Sequence, residues 1–111
     1  MPTLQTLSRQ VQDAFAFLPV RGLRLSEERF TGGDSYRDGF SLAYASATLA
    51  CDIGYSDMEF TVSLNGSPIF DASSHPRFAG NMFSREHLAR RLPQLAEVIR
   101  GALAAQSNSA A

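Results

Sequence analysis

The chain has 111 residues, 44% of them hydrophobic and eight of them Phe, which suits one compact domain spanning 1–111 and is too little for two. A net charge of −1 with a pI near 6.1 offers none of the basic surface that neutralises a run of phosphates, so no nucleic-acid partner is expected. No stretch reaches the ~18 apolar residues of a spanning helix and no basic-then-apolar leader opens the chain, so a cytoplasmic protein without membrane contact is expected.

From Thr3 to Leu18 the apolar residues Leu4, Leu7, Val11, Ala14, Phe15 and Leu18 recur with helical period, with Thr3 as cap and Pro19 as stop. Val20 to Thr31 reads as a first strand in which Leu23 and Leu25 alternate with Arg24 and Ser26 until Glu27 and Glu28 blur the pattern. A glycine-bounded loop follows from Gly32 to Gly39. Phe40, Leu42 and Tyr44 then sit at even positions and Leu49, Cys51, Ile53 and Tyr55 at odd ones, so a turn must intervene. Placed at Ala45-Ser46, it sets Leu42 opposite Leu49 and Phe40 opposite Cys51. A second turn at Ser56-Asp57 sets Tyr55 opposite Met58, Ile53 opposite Phe60 and Cys51 opposite Val62. The third, at Asn65-Gly66, has the residues that a two-residue type I′ turn requires.

Pro68 lies in the last strand, Ser67 to Asp71, at a position whose nitrogen points away from Ser63, so that strand is expected at a sheet edge. After a loop from Ala72 to Phe83, Ser84 caps a helix with Leu88, Leu92, Leu95, Ile99 and Leu103 on one face. Pro93 is expected to kink it or split it near Arg91, and Ala104 to Ala111 to fray. The expected fold is α+β: a helix, an antiparallel meander of four or five strands, and a helix, with both helices on one sheet face in two layers.

No motif for chemistry emerges. His75 and His87 are not spaced as metal ligands, with Asp71, Cys51 and Glu86 the only conceivable partners, and no metal is expected. Asp34, Tyr36 and Asp38 in the glycine-rich loop do not follow the calcium-loop pattern, and Gly32-Gly33 leads into a strand instead of a phosphate-binding helix. There is no GxSxG elbow, Asp57 and Glu59 read as solvated acids, and no catalytic residue or cofactor is assigned. The lone Cys51, inside a strand, reads as a small buried hydrophobe. All ten basic residues are Arg, which reads as compositional bias and not as an anion site.

Two surfaces suggest a partner. The outward sheet face would carry Ser41, Ala43, Thr48, Ala50, Gly54, Thr61, Ser63 and Phe70, with only Asp52 and Glu59 charged, and small neutral residues let another surface approach closely. Arg77, Arg85, Arg90 and Arg91 gather near Phe78 and Phe83. The partner-binding residues are therefore Thr61, Ser63, Phe70, Arg77, Phe78 and Arg85, and the expected function is non-catalytic binding of a protein partner or of a second copy. In size and element order the chain resembles small bacterial immunity proteins and secretion chaperones, which implies such a role. The alternative is a small-ligand site, conceivably an enzyme's, between helices and sheet with Tyr36, Tyr44 and Tyr55 as polar handles.

Overall fold

The Thr3 hydroxyl accepts the N–H of Thr6 at 3.1 Å and so opens α1 (Leu4–Ala14), whose Leu4, Leu7 and Val11 are buried. In the computed structural model, which describes residues 3–32, 38–71, 78 and 83–109, this helix ends earlier than its apolar stripe. It breaks at Phe15-Ala16 and resumes as the single turn α2 (Phe17–Val20). Pro19 does not stop it: Pro19 sits within the first turn of α2, where an N–H would have no intrahelical acceptor. The stop is Gly22, at φ 88°, whose N–H bonds to Pro19 O while that of Leu23 bonds to Leu18 O, a Schellman ending.

Five antiparallel strands follow in meander order: β1 (Arg24–Thr31), β2 (Gly39–Ala45), β3 (Ala50–Ser56), β4 (Glu59–Leu64) and β5 (Ser67–Asp71). Asn65 and Gly66 have φ 51° and 82° and set Leu64 against Ser67 as expected. The other two turns lie elsewhere. Asp57 and Met58, both at positive φ, form the β3–β4 turn, so Tyr55 faces Phe60 and Ile53 faces Val62. Between β2 and β3, the Ser46 hydroxyl accepts the N–H groups of Thr48 and Leu49 while Ser46 N–H bonds to Leu49 O at 2.8 Å. This longer loop puts Leu42 opposite Ile53 and Phe40 opposite Tyr55, correcting the tighter turn at Ala45-Ser46. Both corrections shift the partner by an even number of residues, which leaves every side chain on its expected face.

Two bulges matter more than the turns. In β5 the register slips after Ser63↔Pro68, so that Phe70, not Ile69, faces Val62. In β1 it slips between Leu25 and Glu27, so that Glu28 faces Leu42 and Phe30 faces Phe40.

The inner sheet face buries Phe40, Leu42, Tyr44, Cys51, Ile53, Tyr55, Phe60, Val62 and Phe70 under α1 and α3 (Arg85–Ser109). Each such side chain contributes about 1.5–3 kcal/mol before conformational entropy is counted. Ser84 caps α3 through its hydroxyl, which accepts His87 N–H at 3.2 Å. Leu88, Leu92, Leu95, Ile99 and Leu103 are buried, Pro93 is exposed, and the helix is one element across it, so the chain is not split there. The segment from Ala104, expected to fray, continues the helix to Ser109.

Candidate functional site

Both helices lie against the inner face, and Ser41, Ala43, Ala50, Gly54, Thr61 and Ser63 point to the opposite side. Thr61 and Ser63 are half-buried and paired with Gly54 and Asp52. The charges there are Asp52, Glu59, Asp71 opposite Thr61, Arg24 opposite Ala45 and, also from β1, the exposed ion pair Arg29 with Glu27. Two residues expected on this face are absent from it. Thr48 belongs to the β2–β3 loop, and the β5 bulge turns Phe70 inward, where it is 4% exposed and meets Phe60 and Phe78 edge-on.

Among the described residues the arginine cluster is not one exposed patch, for of Arg85, Arg90 and Arg91 only Arg90 is exposed. Phe78 is fully buried between Phe70 and Phe83, and the Arg91 guanidinium lies 5.0 Å above its ring. Arg85 opens α3 and is only 9% exposed. Burial pushes the Tyr55 phenol up, and the Arg85 charge beside it pulls the other way without prevailing. Of the six expected surface residues, Thr61 and Ser63 keep the placement, Phe70, Phe78 and Arg85 are core, and Arg77 lies outside the described residues. Phe78 stands in a stretch of sequence without apolar periodicity, so the pattern gives no sign that it belongs to the core.

Tyr44 and Tyr55, the two tyrosines among the described residues, are buried in the core. Tyr55 donates its buried hydroxyl to Phe83 O at 2.6 Å, and Phe83 N–H bonds to Met58 O, which ties the start of α3 to the β3–β4 turn. Tyr44 is buried, and burial with the nearby Cys51 and Glu28 pushes its phenol up to about 12. Cys51 is fully buried, its thiol pushed up to about 11 by burial and then by Asp52, which makes it a poor nucleophile at neutral pH. Tyr36, Asp34 and His75 lie outside the described residues. Among the described residues no three His, Cys, Asp or Glu side chains group as a metal site would need, and no helix is long and apolar enough to cross a membrane.

A groove of about 330 Å³ runs between α1 and β1, lined by Gln5, Arg9, Gln12, Glu28 and Phe30. Its carboxylate is held: one oxygen of Glu28 accepts from the fully buried Ser8 hydroxyl at 2.5 Å and from the Gln12 amide at 3.0 Å. Phe30 is 37% exposed at its rim, and Leu25 lies 38% exposed on the same strand. The signal was present in Glu27-Glu28, the pair that blurred the alternation, but only the bulge after Leu25 shows that Glu28 faces inward. The chain matches no protein-family model, no curated protein and no solved structure.

Proposed function

We propose that this chain is a small, non-catalytic, cytoplasmic domain that binds another protein, in the manner of an immunity protein or a secretion chaperone, with a second copy as the alternative occupant. The observation that carries the reading is the outer sheet face. Ser41, Ala43, Ala50, Gly54, Thr61 and Ser63 give it a continuous area of small uncharged side chains, and both helices lie on the other side. A strand face meant only for water ordinarily carries more long charged side chains, whereas small residues permit close approach of a second surface. The small-ligand alternative has less support, because the hydroxyl of Tyr55 is consumed internally and Tyr44 is buried.

The test is quantitative affinity capture from cells of the source organism with the tagged chain and its Thr61→Arg variant, followed by calorimetry with each purified candidate. Thr61 is half-buried on the outer face, so the arginine places a long cation there without entering the core. A partner that binds the unaltered chain and loses at least about tenfold in affinity with the variant supports the reading. Identical capture by the two baits removes the outer face from consideration.

A further inference from the structure

The sheet has two edges, and they are guarded differently. On β5, Pro68 removes a donor and the bulge at Ile69 breaks the line of the strand. On β1, the longest strand and exposed along its whole length, there is no proline. Its free hydrogen-bonding groups can be assigned from the ladder. Ser46 N–H bonds to Leu49 O, and bonded pairs recur every second residue from there, which makes Leu42↔Ile53 and Phe40↔Tyr55 bonded pairs. Leu42 and Phe40 thus spend their backbone groups on β3. Their β1 partners, Glu28 and Phe30, turn their N–H and C=O groups to the open edge.

The same two residues direct their side chains into the groove beneath α1. A strand added at this edge would place its alternate side chains there, with the residue opposite Glu28 beside a carboxylate already fixed by Ser8 and Gln12 and the residue opposite Phe30 beside a half-open ring. Only one Glu28 oxygen is engaged by those two donors. Arg9 lines the α1 wall of the groove, but it is exposed on a long stem and can turn to water, whereas Glu28 is held in place.

A second copy fits this edge poorly. Two-fold antiparallel pairing of β1 with itself keeps edge-facing residues opposite one another only if one residue lies on the axis. Of the four such registers nearest the strand centre, three set Glu27 against Glu27, Glu28 against Glu28, or Arg29 against Arg29, and the fourth puts on the axis Ser26, where the bulge breaks the line of the edge. In the Glu28 register Glu27 would meet Arg29 across the axis, but those two residues are already paired within the strand.

We infer that the free edge of β1 and the groove between β1 and α1 form a strand-addition site for an extended peptide segment of another protein, carrying a basic residue opposite Glu28 and an apolar residue opposite Phe30. The site is distinct from the outer face. It shares with the proposed function only the class of partner.

The experiment is a titration of the ¹⁵N-labelled full chain with the capped peptide Ac-TVTFTKTVT-amide and with the same peptide bearing Gln or Glu in place of Lys. Perturbation and exchange protection are expected at the amides of Glu28 and Phe30, with the Lys peptide binding about fivefold tighter than the Glu peptide, the ratio that ~1 kcal/mol of cross-strand charge preference gives. Glu28→Gln should bring that ratio close to one, and Glu28→Lys should invert it. Phe30→Pro, which removes both an edge-facing N–H and the ring that the apolar residue would meet, should abolish binding. Should that variant misfold, the charge inversion by Glu28→Lys carries the test alone. Protection centred elsewhere, equal affinity for the Lys and Glu peptides, or a peptide-free dimer whose interface protects the Glu28 and Phe30 amides would overturn the inference. Because the probe is synthetic, a null result here leaves the outer-face reading standing, and failure of the capture experiment leaves this one standing.

Discussion

Replacing Tyr55 by Phe isolates one bond that connects the sheet to α3. The ring stays, with its centroid 5.8 Å from that of Phe40, and what disappears is the hydroxyl that donates to Phe83 O at 2.6 Å in a buried site. The net value of such a bond is about 0.5–1.5 kcal/mol, but the carbonyl left behind is buried without its donor, and desolvation raises the cost to about 1–3 kcal/mol. For a chain of this length, that corresponds to a fall in Tm of roughly 4–12 °C. Urea denaturation followed by circular dichroism measures it directly, and an unchanged slope m would show that only native stability has moved. Amide exchange adds a spatial readout: opening should rise first at the amide of Phe83, whose N–H donates to Met58 O in the adjoining backbone bond. Stability within about 0.3 kcal/mol of the unaltered chain would show that Phe83 O finds water or another donor, and would refute the tie.

Gly39→Ala should be costly, because a Cβ there would lie 1.7 Å from Tyr55 O, a backbone atom that cannot rotate away; the expected loss is about 2–3 kcal/mol by urea midpoint. Gly101→Ala, in an exposed helical position with nothing within 4 Å, should instead gain about 0.5–1 kcal/mol, and equal effects at the two sites would contradict the packing at Gly39. Alkali should destabilise the fold. Cys51 and Tyr44 hold their protons to about 11 and 12, against ordinary values of 9.0 and 10.0, so the folded state binds more protons than the unfolded state. Stability is therefore complete below pH 9, declines first as the unfolded thiol ionises and then more steeply above pH 10; Cys51→Ala should remove the first part, and a flat urea midpoint from pH 8 to 11.5 would exclude the mechanism. Pro68→Val should keep the native spectrum while restoring an edge donor on β5, and sedimentation should detect increased self-association. Unfolding of that variant would contradict the edge position.

The faces of the strands were readable from alternation alone, and their registers were not. A slip by an even number of residues preserves the face, so Leu42 opposite Leu49 and Leu42 opposite Ile53, four residues on, satisfy the same apolar pattern. What decides is turn chemistry. Asn65-Gly66 announces positive φ in its composition, whereas Met58 adopts φ 64° with no such signature. Bulges are the other blind spot: a single extra residue sends Phe70 into the core and Glu28 under α1, and both changes fall on proposed binding surfaces. Thr61 and Ser63 point outward as alternation implies, because β4 pairs with β3 without a register shift, as β3 does with β2. Phe78 was misplaced because an aromatic residue in an aperiodic segment gives no sign of whether it folds back on the core or faces water.

The meander has a consequence for the order in which this chain can fold. Every strand pairs with its neighbour in sequence, so each hairpin closes a short loop at low entropic cost, and none waits for a distant segment. Contact between α1 and α3 is different, since it joins the first helix to the last across the entire sheet. Local zippering can therefore build the five strands early, but their apolar face stays wet until both helices dock. In that interval the Pro68 nitrogen and the charges of β1 are what stand between a half-covered sheet and its neighbours, which gives the two edges a task during synthesis as well as in the finished protein.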